Sequence, residues 1–164
     1  MSPMNSILSV CEGLPETSFE AGGVLLAEGN RTGILYVLIV GDVEILKGNF
    51  QVDTVSECGA IFGEVSALLD IPHMATVRAL TPLRAYRIEG AADFLHSHPT
   101  IALEVARLLA QRLNGVTNYL VDLKRQFEDQ ENHLGMVDEV LETLVHQQRS
   151  SFISGSDRDP DPSI

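Results

Sequence analysis

Gly63 and Glu64, near the middle of the chain, are residue types that can bring a carboxylate onto a ligand. A glycine ahead of an acid in a short turn lets the backbone approach a bound molecule closely. The carboxylate can accept from a sugar hydroxyl, and successive N–H groups can bind an anion. Further on, Pro72-His73-Met74 leads into the alternating run Ala75-Thr76-Val77. An imidazole at that turn is an acceptor when neutral and a partner for an anion when protonated. Other chemistry is sparse. His96-x-His98 lacks the further imidazoles and carboxylate of a metal site, and His73 has no second ligand to share an iron, so no metal and no haem is expected. Ser66 has no evident histidine partner, no nucleophile–base arrangement stands out, and the chain reads as a non-enzyme.

These residues must be positioned by the elements around them. From about Gly22 to Ile88 the period is two and the punctuation is glycine. Val24-Leu25-Leu26, Ile34 to Val40, Val43 to Leu46, Ala75 to Leu80 and Leu83 to Ile88 read as strands, with a hairpin turn at Lys47-Gly48-Asn49-Phe50. Short strands at this spacing, at least six in all, predict a sandwich or small barrel. Ala92 to Leu95 is a short segment without a clear type, and Pro99 or Thr100 is suited to open a helix.

Beyond it the period becomes helical. Leu109, Leu113, Val116, Leu120, Leu123, Phe127, Gln130, Leu134, Val137, Leu141 and Leu144 follow steps of four and three, an a/d stripe over about five heptads. Such a stripe predicts a homodimer through the 101–145 helix, with Gln130 as a polar register marker. Asn132, His133 and Gly135 are poor helix formers, so a helix to about Phe127 and a second from Met136 to about Gln148 is the variant. Thr117 and Asn118 are polar residues beside the stripe. The boundaries expected are a β domain over 1–95, a helical coiled-coil region over 96–149 and a disordered Ser-, Asp- and Pro-rich tail over 150–164.

The chain has 164 residues and a formal net charge of −12, which disfavours DNA and anionic membrane surfaces as partners. It has no basic, apolar leader and no run near the roughly 20 apolar residues that span a bilayer. Two cysteines, Cys11 and Cys58, without a C-x-x-C pair, fit a reducing compartment, so a cytoplasmic protein is expected.

The run Phe62-Gly63-Glu64-Val65-Ser66, then Pro72, then Ala75-Thr76-Val77, resembles the phosphate-binding cassette of cyclic-nucleotide-binding domains. Phe19 to Gly22, Glu28-Gly29 and Tyr36 to Glu44 look like that family's opening strands and turns. His98-Pro99 and the apolar residues after it are similar to the approach to its dimerisation helix, so the resemblance runs from about Phe19 to about Leu123. It implies a mainly β fold with C-terminal helix: an eight-stranded double-stranded β-helix, or jelly-roll, barrel followed by a long dimerisation helix.

By the same resemblance, a cyclic nucleotide would be held by Gly63, Glu64, Val65, His73 and Met74, with Thr117 and Asn118 on the purine side. The sequence departs from the family at the central contact, because His73 stands where an arginine usually follows the proline. Two readings follow: His73 is a weaker phosphate partner that acts when protonated, or His73 and Met74 close a pocket that no longer binds. The implied protein is a regulatory sensor domain of signal transduction, similar to the cyclic AMP receptor protein family without its winged-helix half. Its cyclic nucleotide binding would be weak, altered or lost, and a partner regulatory protein would read its state. The alternatives are an interaction or adaptor protein acting through its coiled coil, and a transcription-regulator relative.

Overall fold

A computed structural model describes residues 3–128 and 131–146, with side chains over 7–128 and 135–145. Gln130 and the tail over 150–164 lie outside the described residues. The chain divides into two compact units, 1–106 and 107–164.

In the first unit, helix α1 (Pro3–Cys11) precedes eight strands: β1 (Glu16–Phe19), β2 (Val24–Leu26), β3 (Leu35–Val40), β4 (Val43–Lys47), β5 (Phe50–Val55), β6 (Ile61–Phe62), β7 (Thr76–Ala79) and β8 (Leu83–Ile88). Between β6 and β7 lies the short helix α2 (Glu64–Leu69), and α3 (Ala91–Ser97) follows β8. The strands form two antiparallel four-stranded sheets, in the orders β1-β8-β3-β6 and β2-β7-β4-β5. The expected jelly-roll is therefore present, but not as a closed barrel: β1 and β6 edge one sheet, β2 and β5 the other, and no ladder joins them.

The two sheets share one core. Tyr36, Leu38, Phe62, Leu83 and Ala85 of one pack with Leu25, Leu26, Val43, Val77 and Ala79 of the other. Alternation sorts these residues inward, as at Val77 and Ala79, which are buried while Thr76 and Arg78 are half-buried. β5 departs from that pattern, since nearly all of it is exposed and Phe50 is 78% exposed, as an edge strand allows. The hairpin turn falls at Gly48-Asn49, as the sequence predicts.

Three helices went unread in the sequence, α1, α2 and α3. α1 buries Ile7 and Cys11, and burial pushes the Cys11 thiol up to about 11. α3 is the segment of unclear type. It is seven residues long, buries Ala91 and Leu95, and starts after Gly90 in a left-handed conformation.

The long helix is not continuous. α4 (Pro99–Gln126) stops, Phe127 and Glu128 turn, and α5 (Glu131–His146) begins anew. The charges at the two helix ends suit the break: Lys124 and Arg125 lie in the last turn of α4, where the helix dipole favours cations, and α5 opens on Glu131, where it favours anions. In the second unit Lys124 pairs with Asp138, and an open groove of about 440 Å³ runs between the helices, with Thr117, Val121 and Lys124 on one wall and Asp138, Leu141, Glu142 and Val145 on the other. Among the described residues no helix is long and apolar enough to cross a membrane.

Candidate functional site

The cassette is the segment from β6 through α2 to β7, folded against the loop between β2 and β3. Gly63 makes its first turn. Its φ is +96°, and a Cβ added there would collide with the Ile34 carbonyl, so only glycine fits without displacement. Glu64 follows as the first residue of α2 and is buried; Val65 is half-buried. Asp70 then ends the helix with φ +54°, the one non-glycine residue with positive φ among the described residues. That reversal, followed by Pro72, carries the chain back over α2 and delivers His73 to Ser66.

His73 is 4% exposed, and both of its ring nitrogens are engaged. Nδ1 lies 2.8 Å from Ser66 Oγ and Nε2 lies 2.8 Å from Thr32 Oγ1. The neighbouring bonds assign the protons. Ser66 Oγ donates to the Gly63 carbonyl at 3.3 Å, so it is free to accept from Nδ1–H. Thr32 Oγ1 accepts the Ile34 N–H at 3.2 Å, so its own hydroxyl proton is left for Nε2. The chain of bonds closes with a neutral imidazole carrying its proton on Nδ1. Burial also holds the His73 pKa below 6.5, in agreement with that neutral form.

The expectation that Ser66 lacks a histidine partner is thus corrected. α2 and the Asp70 turn place the two side chains in contact across seven positions of sequence. The pair is not a nucleophile and its base. Ser66 and His73 are both buried, the serine hydroxyl is spent on the Gly63 carbonyl, and Nε2 faces a hydroxyl instead of an orienting acid.

Main-chain bonds fix the same contact. His73 N–H donates to the Asn30 carbonyl at 2.8 Å, and Gly29 N–H donates to the His73 carbonyl at 2.9 Å. At the rim, Arg31 reaches the Asp70 carboxylate at 2.9 Å and also its carbonyl; both side chains are more than half exposed. Met74 turns outward, 55% exposed, so of the two residues expected to close the pocket only His73 is inside. Lys47 donates to the Met74 carbonyl and pairs with Glu28 at 3.2 Å. Glu28 also accepts the Gly48 N–H, and these contacts hold its carboxyl below 4.5.

Thr117 and Asn118 lie on α4 within the second unit. Thr117 Oγ1 donates to the Leu113 carbonyl one turn back at 2.9 Å, and Asn118 is exposed. The histidines near the start of α4 form no metal centre: His98 stacks on Phe94 at 3.9 Å with Nδ1 2.8 Å from the Phe94 carbonyl, and no metal-binding cluster exists among the described residues.

Sequence reasoning missed Thr32 and Arg31. A serine seven positions ahead of the histidine, with a proline between them, was a usable signal for Ser66. Nothing local points from residue 32 to residue 73. A second polar cluster, outside the cassette, has Glu44 taking Arg78 Nε at 2.7 Å and Gln51 Nε2 at 2.8 Å; the Gln51 amide and the Arg78 guanidinium hold its carboxyl below 4.5.

This geometry agrees with the comparisons to known proteins. Residues 16–95 match the family model described as "Cyclic nucleotide-binding domain". A "CRP-like cAMP-activated global transcriptional regulator" of Mycobacterium tuberculosis is 28% identical over 125 residues, covering 73% of this chain and 56% of that protein. The chain thus spans about half the length of that curated relative. Among solved structures, a Thermus thermophilus Catabolite Activator Protein matches with TM-score 0.62 and 18% identity over 75% of this chain and 63% of that one. A cyclic nucleotide-binding domain from Methylobacillus flagellatus matches with TM-score 0.59 and 21% identity, covering 72% of each. The sandwich, the cassette between β6 and β7, and the family match lead to one conclusion: residues 16–95 of this chain are a cyclic nucleotide-binding domain by fold and by sequence pattern.

Proposed function

We propose that the chain is a regulatory sensor domain of signal transduction whose cassette keeps the family's frame and has changed its ligand contact. Gly63, Glu64 and Val65 remain the ligand-facing turn. His73 stands in for the phosphate-binding guanidinium, and cyclic nucleotide binding is weak as a result. Met74, Thr117 and Asn118 are the further contacts this reading assigns. The domain acts as a cytoplasmic homodimer through its C-terminal helices, signals to a partner regulatory protein, and catalyses no reaction.

One observation carries the reading: His73 is buried, with both ring nitrogens committed to Ser66 and Thr32, and that burial favours its neutral form. A phosphate arriving at Nε2 must displace the Thr32 hydroxyl and gains no opposite charge in return. A hydrogen bond to a charged group is worth about 1.5–3 kcal/mol, so the exchange costs roughly one to two orders of magnitude in affinity. Arg31, next to Thr32 in sequence, already holds Asp70, and Arg78, five positions after His73, already holds Glu44.

Calorimetric titration of cyclic AMP and cyclic GMP into the wild type and the His73→Arg variant tests this. The expected result is weak binding by the wild type and a gain of roughly 10- to 100-fold in the variant. Wild-type binding as tight as that of the variant overturns the reading. An affinity that climbs steeply as pH falls from about 8 to about 6 also overturns it, since His73 would then be a cationic phosphate partner.

A further inference from the structure

The turn at Phe127 and Glu128 redistributes the apolar stripe. α5 runs back along α4: Lys124 meets Asp138 near the turn, while Thr117 and Val145 line the other end of the groove. A connection this short makes the two helices antiparallel neighbours. Val116, Leu120 and Leu123 each precede a groove-lining residue of α4 by one position, and Val137 and Leu144 each precede one of α5. Stepping back one residue rotates a side chain by about 100° around its helix. Because the helices run in opposite directions, both rotations lead to the same side of the hairpin.

That side is therefore a continuous apolar face built by both helices. Its residues are only partly covered; Val116 is 50% exposed. The helices also differ in charge. α4 carries Arg107, Arg112, Lys124 and Arg125 against Glu104 and Asp122, whereas α5 carries Glu131, Asp138, Glu139 and Glu142 and no lysine or arginine. Within one hairpin the Lys124–Asp138 pair already uses this complementarity.

We infer that the occupant of this face is a second copy of the same hairpin, and that the dimer is a four-helix bundle in which α5 of each protomer lies along α4 of the other. A two-fold axis satisfies the requirement, since an isologous interface needs a self-complementary surface, and a basic helix beside an acidic one supplies it. The inference rests on the homodimeric reading above and specifies it: α5 is part of the interface, and the α4 helices do not pair alone as a two-stranded coil.

Sedimentation equilibrium on the full chain tests it, with Val137→Glu/Leu144→Glu as the α5 variant and Leu120→Glu as the α4 variant. Both variants are expected at half the wild-type mass. An α5 variant that stays dimeric while Leu120→Glu dissociates overturns the bundle and leaves a homodimer through α4. A monomeric wild type overturns the bundle and the homodimer together. Cross-linking gives a second measurement that does not depend on how the glutamates affect helix formation. In a Cys58→Ser background, Leu144→Cys should not form a disulfide-linked dimer, because the α5 helices sit diagonally. Ready formation of that dimer means the α5 helices run side by side and overturns the arrangement.

Discussion

His73 Nδ1 and Ser66 Oγ sit 2.8 Å apart inside the cassette, and the serine hydroxyl donates to the Gly63 carbonyl. Removing the hydroxyl leaves a buried N–H without its acceptor, while removing the histidine leaves the hydroxyl bonded to Gly63. Ser66→Ala should therefore destabilise by about 1–3 kcal/mol, the cost of an unsatisfied buried donor. In the His73→Leu background the same change should cost clearly less. Urea denaturation of the four proteins in this cycle measures the coupling, and simple additivity would show that the bond contributes nothing.

Stability should depend on pH through the same imidazole. The folded-state pKa of His73 lies below 6.5, so just below that pH the unfolded chain binds more protons than the folded one. Unfolding is then favoured as pH falls, and the loss of stability starts near 6.5 and levels off beneath the folded pKa. Glu28 and Glu44, whose carboxyls are held below 4.5, act in the same direction in a lower window, where protonation removes their partners. Thermal melts from about pH 7.5 to about pH 5.5 should show the melting temperature falling in the wild type and falling less in His73→Gln. Parallel curves for the two proteins would contradict the assignment.

Gly63→Ala probes the other end of the cassette. A left-handed backbone costs an L residue roughly 1–2 kcal/mol, and here the added Cβ also meets the Ile34 carbonyl, so the loss should reach or exceed that range. Gly48 is also left-handed, with φ +60°, but a Cβ there meets nothing within 4 Å, so Gly48→Ala should cost only the backbone strain. Denaturation midpoints compare the two, and equal losses would mean that the Ile34 contact is easily relieved.

What could be read in the sequence follows the range of the interactions. Val77 and Ala79 alternate with polar neighbours and were legible as an inward-facing strand, because that signal lies within four residues. The cassette was legible through Gly63, Glu64 and Pro72, whose conformational roles are local. The partners of His73 were not: Thr32 is 41 positions away, and only the packing of the β2–β3 loop on the cassette brings it there. The heptad stripe is apolar and periodic, yet period alone is the same for one long helix and for two that fold back. The poor helix formers Asn132, His133 and Gly135 pointed to a break after about Phe127, and α4 does end there, but α5 restarts at Glu131, ahead of Met136, and takes all three into the helix.

The loop that clasps the cassette has a kinetic consequence. Asn30–His73, Arg31–Asp70 and Thr32–His73 all join residues about 40 positions apart, and none of them belongs to a strand ladder. Contacts that close such long stretches of chain form late in folding. They are also expected to open as a unit in the native state. In hydrogen–deuterium exchange the Gly29 and His73 amides should exchange together, and faster than those of the β3–β8 ladder. The seam between the β2–β3 loop and the cassette is then the place where this sandwich breathes.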